Sequence, residues 1–328
     1  MPRVLITGGG GFVGKALGQA LVSRGFEVIS VARGAYPELK ALGISHHQID
    51  LSKDLEKLIT VSNDCDAIFH VAAKVDMWGK YEDFFAANVL ATRNVIQACK
   101  VNNIKRLIFT SSPSVIADGK DLLGVNETYP YPSKYMAFYP QTKAQAEKEV
   151  LQSNNSTSLK TIALRPHLIW GRGDTNLIPT VVGKAEKGKL LCIGDGSNLT
   201  DLTYIDDCVQ AHIKAFDSLE TNPAVSGKPY FISQGDPVNM WQWVDQILTI
   251  HKLPVIRKKV NKKFAMLVAS VLEAISRVLP GSPEPLFTKF LVCEMSTSHY
   301  FDISAAKNDL GYEPQYSVSE AMKACFSA

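Results

Sequence analysis

The chain has 328 residues, 46% of them apolar and 20% charged, with a formal net charge of +3 at pH 7. That is enough to bury a large core, too balanced for a disordered segment, and too weakly basic to imply a nucleic-acid partner. The six cysteines are scattered without a CxxC pair, which argues against structural zinc or thioredoxin-like chemistry and suits a reducing compartment.

Met1-Pro2-Arg3 runs straight into Val4-Leu5-Ile6 with no signal-peptide pattern, so a cytoplasmic protein is expected. Val4 to Thr7 reads as a strand, Gly8 to Gly14 as a turn, and the next residues as a helix ending near Arg24-Gly25. Further strands are predicted at Glu27 to Val31, Ser45 to Ile49, Ala67 to Val71, Leu107 to Thr110 and Leu159 to Leu164. Helices are predicted at Phe85 to Val101 and Gln141 to Leu151 between them. After Pro166 the pattern is less regular, with helices expected over Trp241 to Leu253 and about Lys262 to Leu279, where Pro280-Gly281 stops the second. The alternation predicts a doubly wound, Rossmann-type α/β fold: a parallel sheet with a smaller C-terminal substrate-binding region. Residues 1–165 are expected to form mainly the dinucleotide-binding core with the catalytic residues. Residues 166–328 are expected to form mainly the substrate-binding region, with some segments returning to the core.

Within Thr7-Gly8-Gly9-Gly10-Gly11-Phe12-Val13-Gly14 the useful glycines are Gly8, Gly11 and Gly14. They serve the tight turn, the close approach of a pyrophosphate, and the packing of helix on sheet, with the anion at the helix N-terminus. After the second strand the chain reads Ala32-Arg33-Gly34, where an NAD site would place an acidic residue. Arg33 suits a 2′-phosphate, so NADP(H) is favoured, with NAD(H) possible. Asp50 is placed for the adenine edge, and Ala72-Ala73 for close passage beneath the cofactor.

Tyr139 and Lys143 are four apart on a helix and share a face. A lysine ammonium beside the phenol is expected to lower its pKa, so that Tyr139 exchanges a proton with an alcohol or alkoxide. Ser112, just beyond the fifth strand, supplies a hydroxyl for the substrate oxygen; Ser111 fits its side-chain register less well. His46 and His47 read as exposed loop histidines, and no metal site is expected.

Thr7-Gly8-x-x-Gly11-Phe12-x-Gly14, Asp50-Leu51, His70-x-Ala72-Ala73, Asn88-x-x-x-Thr92, Thr110-Ser111-Ser112 and Tyr139-x-x-x-Lys143 together resemble the extended short-chain dehydrogenase/reductases. Leu164-Arg165-Pro166, Trp170-Gly171, Phe301-Asp302 and Asp309-Leu310-Gly311-Tyr312 extend the likeness over nearly the whole chain. Within them the sequence looks like the 3β-hydroxysteroid dehydrogenase-like branch. More narrowly, it is similar to a bacterial group that reduces the 3-keto group of a 2-alkyl-3-oxoalkanoate with NADPH in long-chain olefin biosynthesis. Thr110-Ser-Ser-Pro-Ser-Val115, Leu164-Arg-Pro-His-Leu-Ile-Trp-Gly171, Tyr230-Phe-Ile-Ser-Gln-Gly235 and Thr297-Ser-His-Tyr-Phe-Asp302 carry that likeness.

The resemblance implies catalytic roles for Ser112, Tyr139 and Lys143, with Asn88 supporting the lysine. It implies cofactor contacts at Gly8, Gly11, Phe12, Val13, Gly14, Arg33, Asp50, Leu51, Ala72, Ala73, Lys74, Pro166 and Leu168, together with Tyr139 and Lys143. It also implies a long-chain β-keto acid or other lipophilic carbonyl or alcohol substrate, a homodimer, and assembly with other olefin-pathway enzymes. Trp78, Tyr81, Phe84, Tyr135, Trp170 and segments after Leu253 are candidates for an apolar cleft. Arg257-Lys258-Lys259 and Lys262-Lys263 ahead of an apolar helix suggest peripheral membrane contact. Competing readings are a 3β-hydroxysteroid or sterol dehydrogenase, a nucleotide-sugar epimerase, and a non-enzymatic dinucleotide sensor.

Overall fold

The structure is a computed structural model that describes residues 1–327. Short apolar segments without polar alternation are what strands need when both faces of a sheet are covered. Seven pair in parallel: β1 (Arg3–Thr7), β2 (Glu27–Ala32), β3 (Ile44–Gln48), β4 (Ala67–His70), β5 (Arg106–Thr110), β6 (Lys160–Pro166) and β7 (Lys228–Ile232). Their order is β3-β2-β1-β4-β5-β6-β7. The chain reverses its direction of winding between β1 and β4, which opens the crevice where such sheets bind ligands.

Alternate residues of each strand feed opposite cores. Val4, Ile6, Phe69 and Ile162 pack with Leu17 and Leu21 of α1 (Phe12–Ser23) and with Val209 and Phe216 from the helix Ile205–Thr221. Leu5, Ile29, Ile68 and Phe109 face the other way, against Val95 and Cys99 of α2 (Ala91–Val101) and Ala146 and Val150 of α3 (Phe138–Gln152). β3 is the edge, and its exposed Ser45, His47 and Gln48 keep that edge polar.

Two helices differ from expectation. The stretch ahead of α2 contains a π-helical turn, Phe85–Leu90, which carries the buried Asn88. α3 starts at Phe138, before Pro140 rather than after it, because proline is tolerated in a first helical turn, where an N–H has no intrahelical partner. That start puts Tyr139 inside the helix.

Beyond residue 166, β7 joins the main sheet, and helix Ile205–Thr221 covers one of its faces. Others form a small sheet in which Val238–Asn239, Leu199–Thr200, His299–Phe301 and Leu122–Val125 are neighbours. A helix that we label α4 (Lys262–Val278) is capped by the Asn261 side chain, which accepts from Lys263 N at 2.9 Å. Among the described residues no helix is long and apolar enough to cross a membrane.

Candidate active site

The turn after β1 is built around contacts that side chains would block. Gly8 has φ 71° and donates its N–H to Val31 O at 2.7 Å. A Cβ on Gly14 would stand 2.3 Å from Gly8 O, so only glycine lets α1 start this close to the turn. Gly9 and Gly10 are also crowded, though by side chains, since a Cβ would meet Ser30 Oγ at 2.3 Å and the Tyr36 ring at 2.3 Å. Gly11 is the N-cap of α1; among the described residues no side chain caps this start, and its first turn holds no acidic residue. Bare amides at a positive helix end, approached closely through glycine, fit a dinucleotide pyrophosphate.

A buried chain of hydrogen bonds braces the strand ends beside this turn. Thr92 Oγ1 donates to Asn88 O at 2.5 Å, so it accepts from His70 Nε2 at 2.9 Å. His70 Nδ1 then accepts from Thr7 Oγ1 at 2.7 Å, and Thr7 Oγ1 accepts from Ala72 N at 3.1 Å. Burial, reinforced by the Lys143 charge, pushes His70 down to about 3, so it is a neutral link. Asn88 continues the brace: its Oδ1 accepts from Lys74 N at 2.8 Å and its Nδ2 donates to Thr142 Oγ1 at 3.0 Å. Asn88 thus holds the Ala72–Lys74 segment and the residue preceding Lys143.

Ser112, Tyr139 and Lys143 converge at the carboxyl end of β5. Ser111 is buried, whereas Ser112 is half-buried and its Oγ accepts from Ser114 N at 3.2 Å. Burial pushes the Tyr139 phenol upward, while hydrogen bonds from Ser112 and Ser114 pull it down by less. The lowering expected from Lys143 is not present in this state. Lys143 Nζ instead donates to Thr110 O at 2.6 Å and lies 4.2 Å from the Phe109 ring centre. Burial pushes this amine down to about 7, opposed by the Glu147 carboxylate.

Glu147, one turn beyond Lys143, is itself held by Arg165. Arg165 Nε and Nη2 donate to its two oxygens at 2.9 and 2.6 Å, and Tyr131 OH donates to Oε1 at 2.6 Å. Burial works against ionised Glu147, but Arg165, together with the Ser111 and Tyr131 hydroxyls, holds the carboxyl below its ordinary range. Sequence reading missed the Glu147–Arg165 pair, although the Lys143-x-x-x-Glu147 spacing places Glu147 on the same helix face as Lys143.

The other predicted residues fall at distinct places. Phe12 and Val13 open α1, and Arg33 is exposed at the end of β2. Asp50 Oδ1 accepts from Ser52 N and Oγ at 3.0 and 2.7 Å, and Leu51 is a core residue. Pro166 ends β6, and Leu168 holds φ 41°, a strained backbone for a branched side chain at the rim of the crevice. Lys74 pairs with Asp76. Trp170 corrects the cleft reading: it is fully buried against Tyr204 and Trp243. Trp78 instead spans to the C-terminal region, donating Nε1–H to Ser282 O at 2.9 Å. His46 and His47 lie on β3 rather than in a loop, and His46 bridges Ser30 Oγ (3.0 Å) and Gly34 O (2.9 Å). Tyr36, beside Gly10 and Gly34, was not anticipated.

The 3-beta hydroxysteroid dehydrogenase/isomerase family matches residues 5–261. The chain is 43% identical to the 2-alkyl-3-oxoalkanoate reductase of Shewanella oneidensis, over 98% of this chain and 84% of that one. It is 41% identical to the reductase of the same name from Stenotrophomonas maltophilia, over 98% and 97%. It is also 32% identical to human sterol-4-alpha-carboxylate 3-dehydrogenase, decarboxylating, over 98% and 86%. Among solved structures, UDP-glucuronic acid 4-epimerase from Bacillus cereus with NAD aligns with a TM-score of 0.73 at 22% identity, over 99% and 97%, a likeness of fold. The glycine turn, the convergent Ser112, Tyr139 and Lys143, and these matches lead to one conclusion: the chain belongs to the 3-beta hydroxysteroid dehydrogenase/isomerase family and is a dinucleotide-dependent oxidoreductase.

Proposed function

We propose that this enzyme reduces the 3-keto group of a 2-alkyl-3-oxoalkanoate with NADPH, giving the 2-alkyl-3-hydroxyalkanoate. The observation that carries the chemistry is the placement of Ser112 just beyond β5, with Lys143 Nζ on Thr110 O at the same strand end and Tyr139 one turn before Lys143 on α3. The substrate class follows the two bacterial reductases.

When bound, the nicotinamide supplies the hydride. Ser112 Oγ–H donates to the ketone oxygen and polarises it. Tyr139 gives its proton to that oxygen as negative charge develops there. Lys143 leaves Thr110 O to hold ribose hydroxyls and, once protonated, favours the Tyr139 phenolate that results. Solvent returns the proton. Asn88 keeps Lys74 and Thr142 in place throughout. Phe12, Val13, Ala72, Ala73, Pro166 and Leu168 are assigned to the cofactor because they border the turn and the strand ends.

The exposed Arg33, with no acidic residue at the end of β2, supports NADP(H) over NAD(H). We assign residues 166–328 mainly to the substrate. A cytoplasmic homodimer formed through helices beside the sheet, in contact with an anionic membrane surface and with other olefin-pathway enzymes, belongs to the same reading.

A matched assay tests it, with NADP+ or NAD+ against a racemic 2-alkyl-3-hydroxy acid, a steroid alcohol and a UDP-sugar. The expected result is turnover of the hydroxy acid with NADP+, falling at least about a hundredfold in Tyr139→Phe while dinucleotide binding persists. Turnover of the sterol alone would give the substrate to the sterol dehydrogenases, a reading favoured by the human relative. No turnover at all, with binding intact, would favour a dinucleotide sensor.

A further inference from the structure

Three side chains that the proposed reaction does not use meet beside the site, close enough for the Glu294 charge to act on the Tyr139 phenol. His167 follows β6, Glu294 ends the helix Lys289–Glu294, and His299 opens the strand His299–Phe301. One donor atom from each lies within 4.8 Å of the other two. The surrounding hydrogen bonds fix what His299 presents. Thr297 Oγ1 donates to Cys293 O at 2.7 Å, so it accepts from His299 Nε2 at 2.8 Å, and that nitrogen carries the hydrogen. With Nε2 bound to Thr297, the other ring nitrogen, Nδ1, faces Glu294 Oε2, 3.9 Å away. His167 is 7% exposed, and its buried Nδ1 has no hydrogen-bond partner among the described residues. A buried imidazole nitrogen without a partner, beside a second imidazole and a carboxylate, leaves a place for a cation.

We propose that His167, Glu294 and His299 form a binding site for a divalent metal ion of the zinc class. Two imidazoles and a carboxylate are a donor set that zinc takes while leaving a fourth position open. Bonds of roughly 2.0–2.2 Å put tetrahedral ligands about 3.3 Å apart, so the three side chains close inward slightly around the ion. Thr297, gripping the far nitrogen of His299, is the outer partner that sets a ligand's tautomer and aim. The Glu294 side chain is 24% exposed against 8% for His299, so the open position, for water or a carboxylate oxygen, lies on the Glu294 side. The ion ties the segment after β6 to the C-terminal strand, and its binding stabilises the folded chain.

The experiment uses the full chain, stripped with a chelator and titrated with Co2+, then Zn2+. Stoichiometric uptake with the visible bands of four-coordinate cobalt is expected, with displacement by Zn2+ and a Tm that rises with Zn2+. His299→Gln and Glu294→Gln are each expected to weaken uptake at least about tenfold, whereas His251→Gln leaves it unchanged. Thermal stabilisation by the dinucleotide shows whether each variant is folded. The wild-type titration decides the matter even if a variant unfolds: absence of the cobalt bands in the folded protein overturns the site. Undiminished uptake in a folded His299→Gln, or the intense charge-transfer bands of a cobalt thiolate, would place any ion elsewhere and overturn it equally.

Discussion

Single atoms decide how tightly the glycine turn is specified. Gly14→Ala puts a methyl group 2.3 Å from Gly8 O, and backbone on both sides cannot yield cheaply. The expected outcome is a loss of about 1–3 kcal/mol in urea unfolding together with loss of dinucleotide binding. Gly183 is the control: it lies inside the helix Leu177–Glu186, and nothing stands within 4 Å of an added Cβ. Gly183→Ala is expected to stabilise by about 0.5–1 kcal/mol, and destabilisation would show that residue 183 is not in an unobstructed helix. Lys143 gives a pH signature at the same scale. Its amine is pushed from 10.5 down to about 7 in the fold, so between those values the unfolded chain holds more protons than the native one. The contribution of Lys143 to stability therefore rises with pH from about 7 upward and is smallest below that. Denaturation midpoints of ligand-free wild type minus Lys143→Met should show that rise; a flat difference would mean that the amine is solvated.

At the scale of elements, the buried Arg165–Glu147 pair fastens β6 to α3, and so sets where Lys143 projects. Both side chains are essentially inaccessible, at 1% and 0%. Glu147→Gln leaves the guanidinium buried without a counter-charge, and a loss of about 3–5 kcal/mol is expected. Arg165→Met with Glu147→Leu should recover much of that loss in the same urea titration. If the single change costs no more than the double one, the pair is not the fastener. The elements themselves were largely legible, because strands covered on both faces must be apolar throughout, as Val4-Leu5-Ile6 and Leu107-Ile108-Phe109 are. Errors fell where local signals were ambiguous. The helix expected from Gln141 begins earlier, with Pro140 in its first turn, and a π-turn at Phe85–Leu90 has no periodicity of its own to betray it. Trp170 looked like a cleft aromatic, yet only tertiary packing shows that Tyr204 and Trp243 enclose it.

At the scale of the whole molecule, what was readable is what lies close along the chain. Gly8 to Gly14 and Tyr139 with Lys143 carry their geometry in their spacing. His167, Glu294 and His299 do not, because folding alone brings those segments together. The exposed face of α4 is a mixed case. Its basic flank could be read, but not which way its apolar residues turn. The structure shows small or polar residues inward, Ala265, Ala269, Glu273 and Ser276, and large apolar ones outward. Phe264, Leu267, Val271, Ile275 and Val278 are 61%, 63%, 51%, 47% and 83% exposed. That inverts the arrangement of a helix whose apolar stripe completes a core. With exposed Arg257, Lys258, Lys259 and Lys263 at one end, it matches a surface that is apolar beneath and anionic above. Co-sedimentation with phosphatidylserine-containing vesicles is therefore expected, weakening with salt, with each basic side chain contributing about 1 kcal/mol near the surface. Leu267→Ser with Val271→Asn should abolish sedimentation while shifting stability by no more than about 1 kcal/mol, since both side chains are more than half exposed. Equal binding to pure phosphatidylcholine would remove the electrostatic half of this reading. A concentration-dependent dimer that disappears in the same double variant would instead make this face the contact between two copies of the chain.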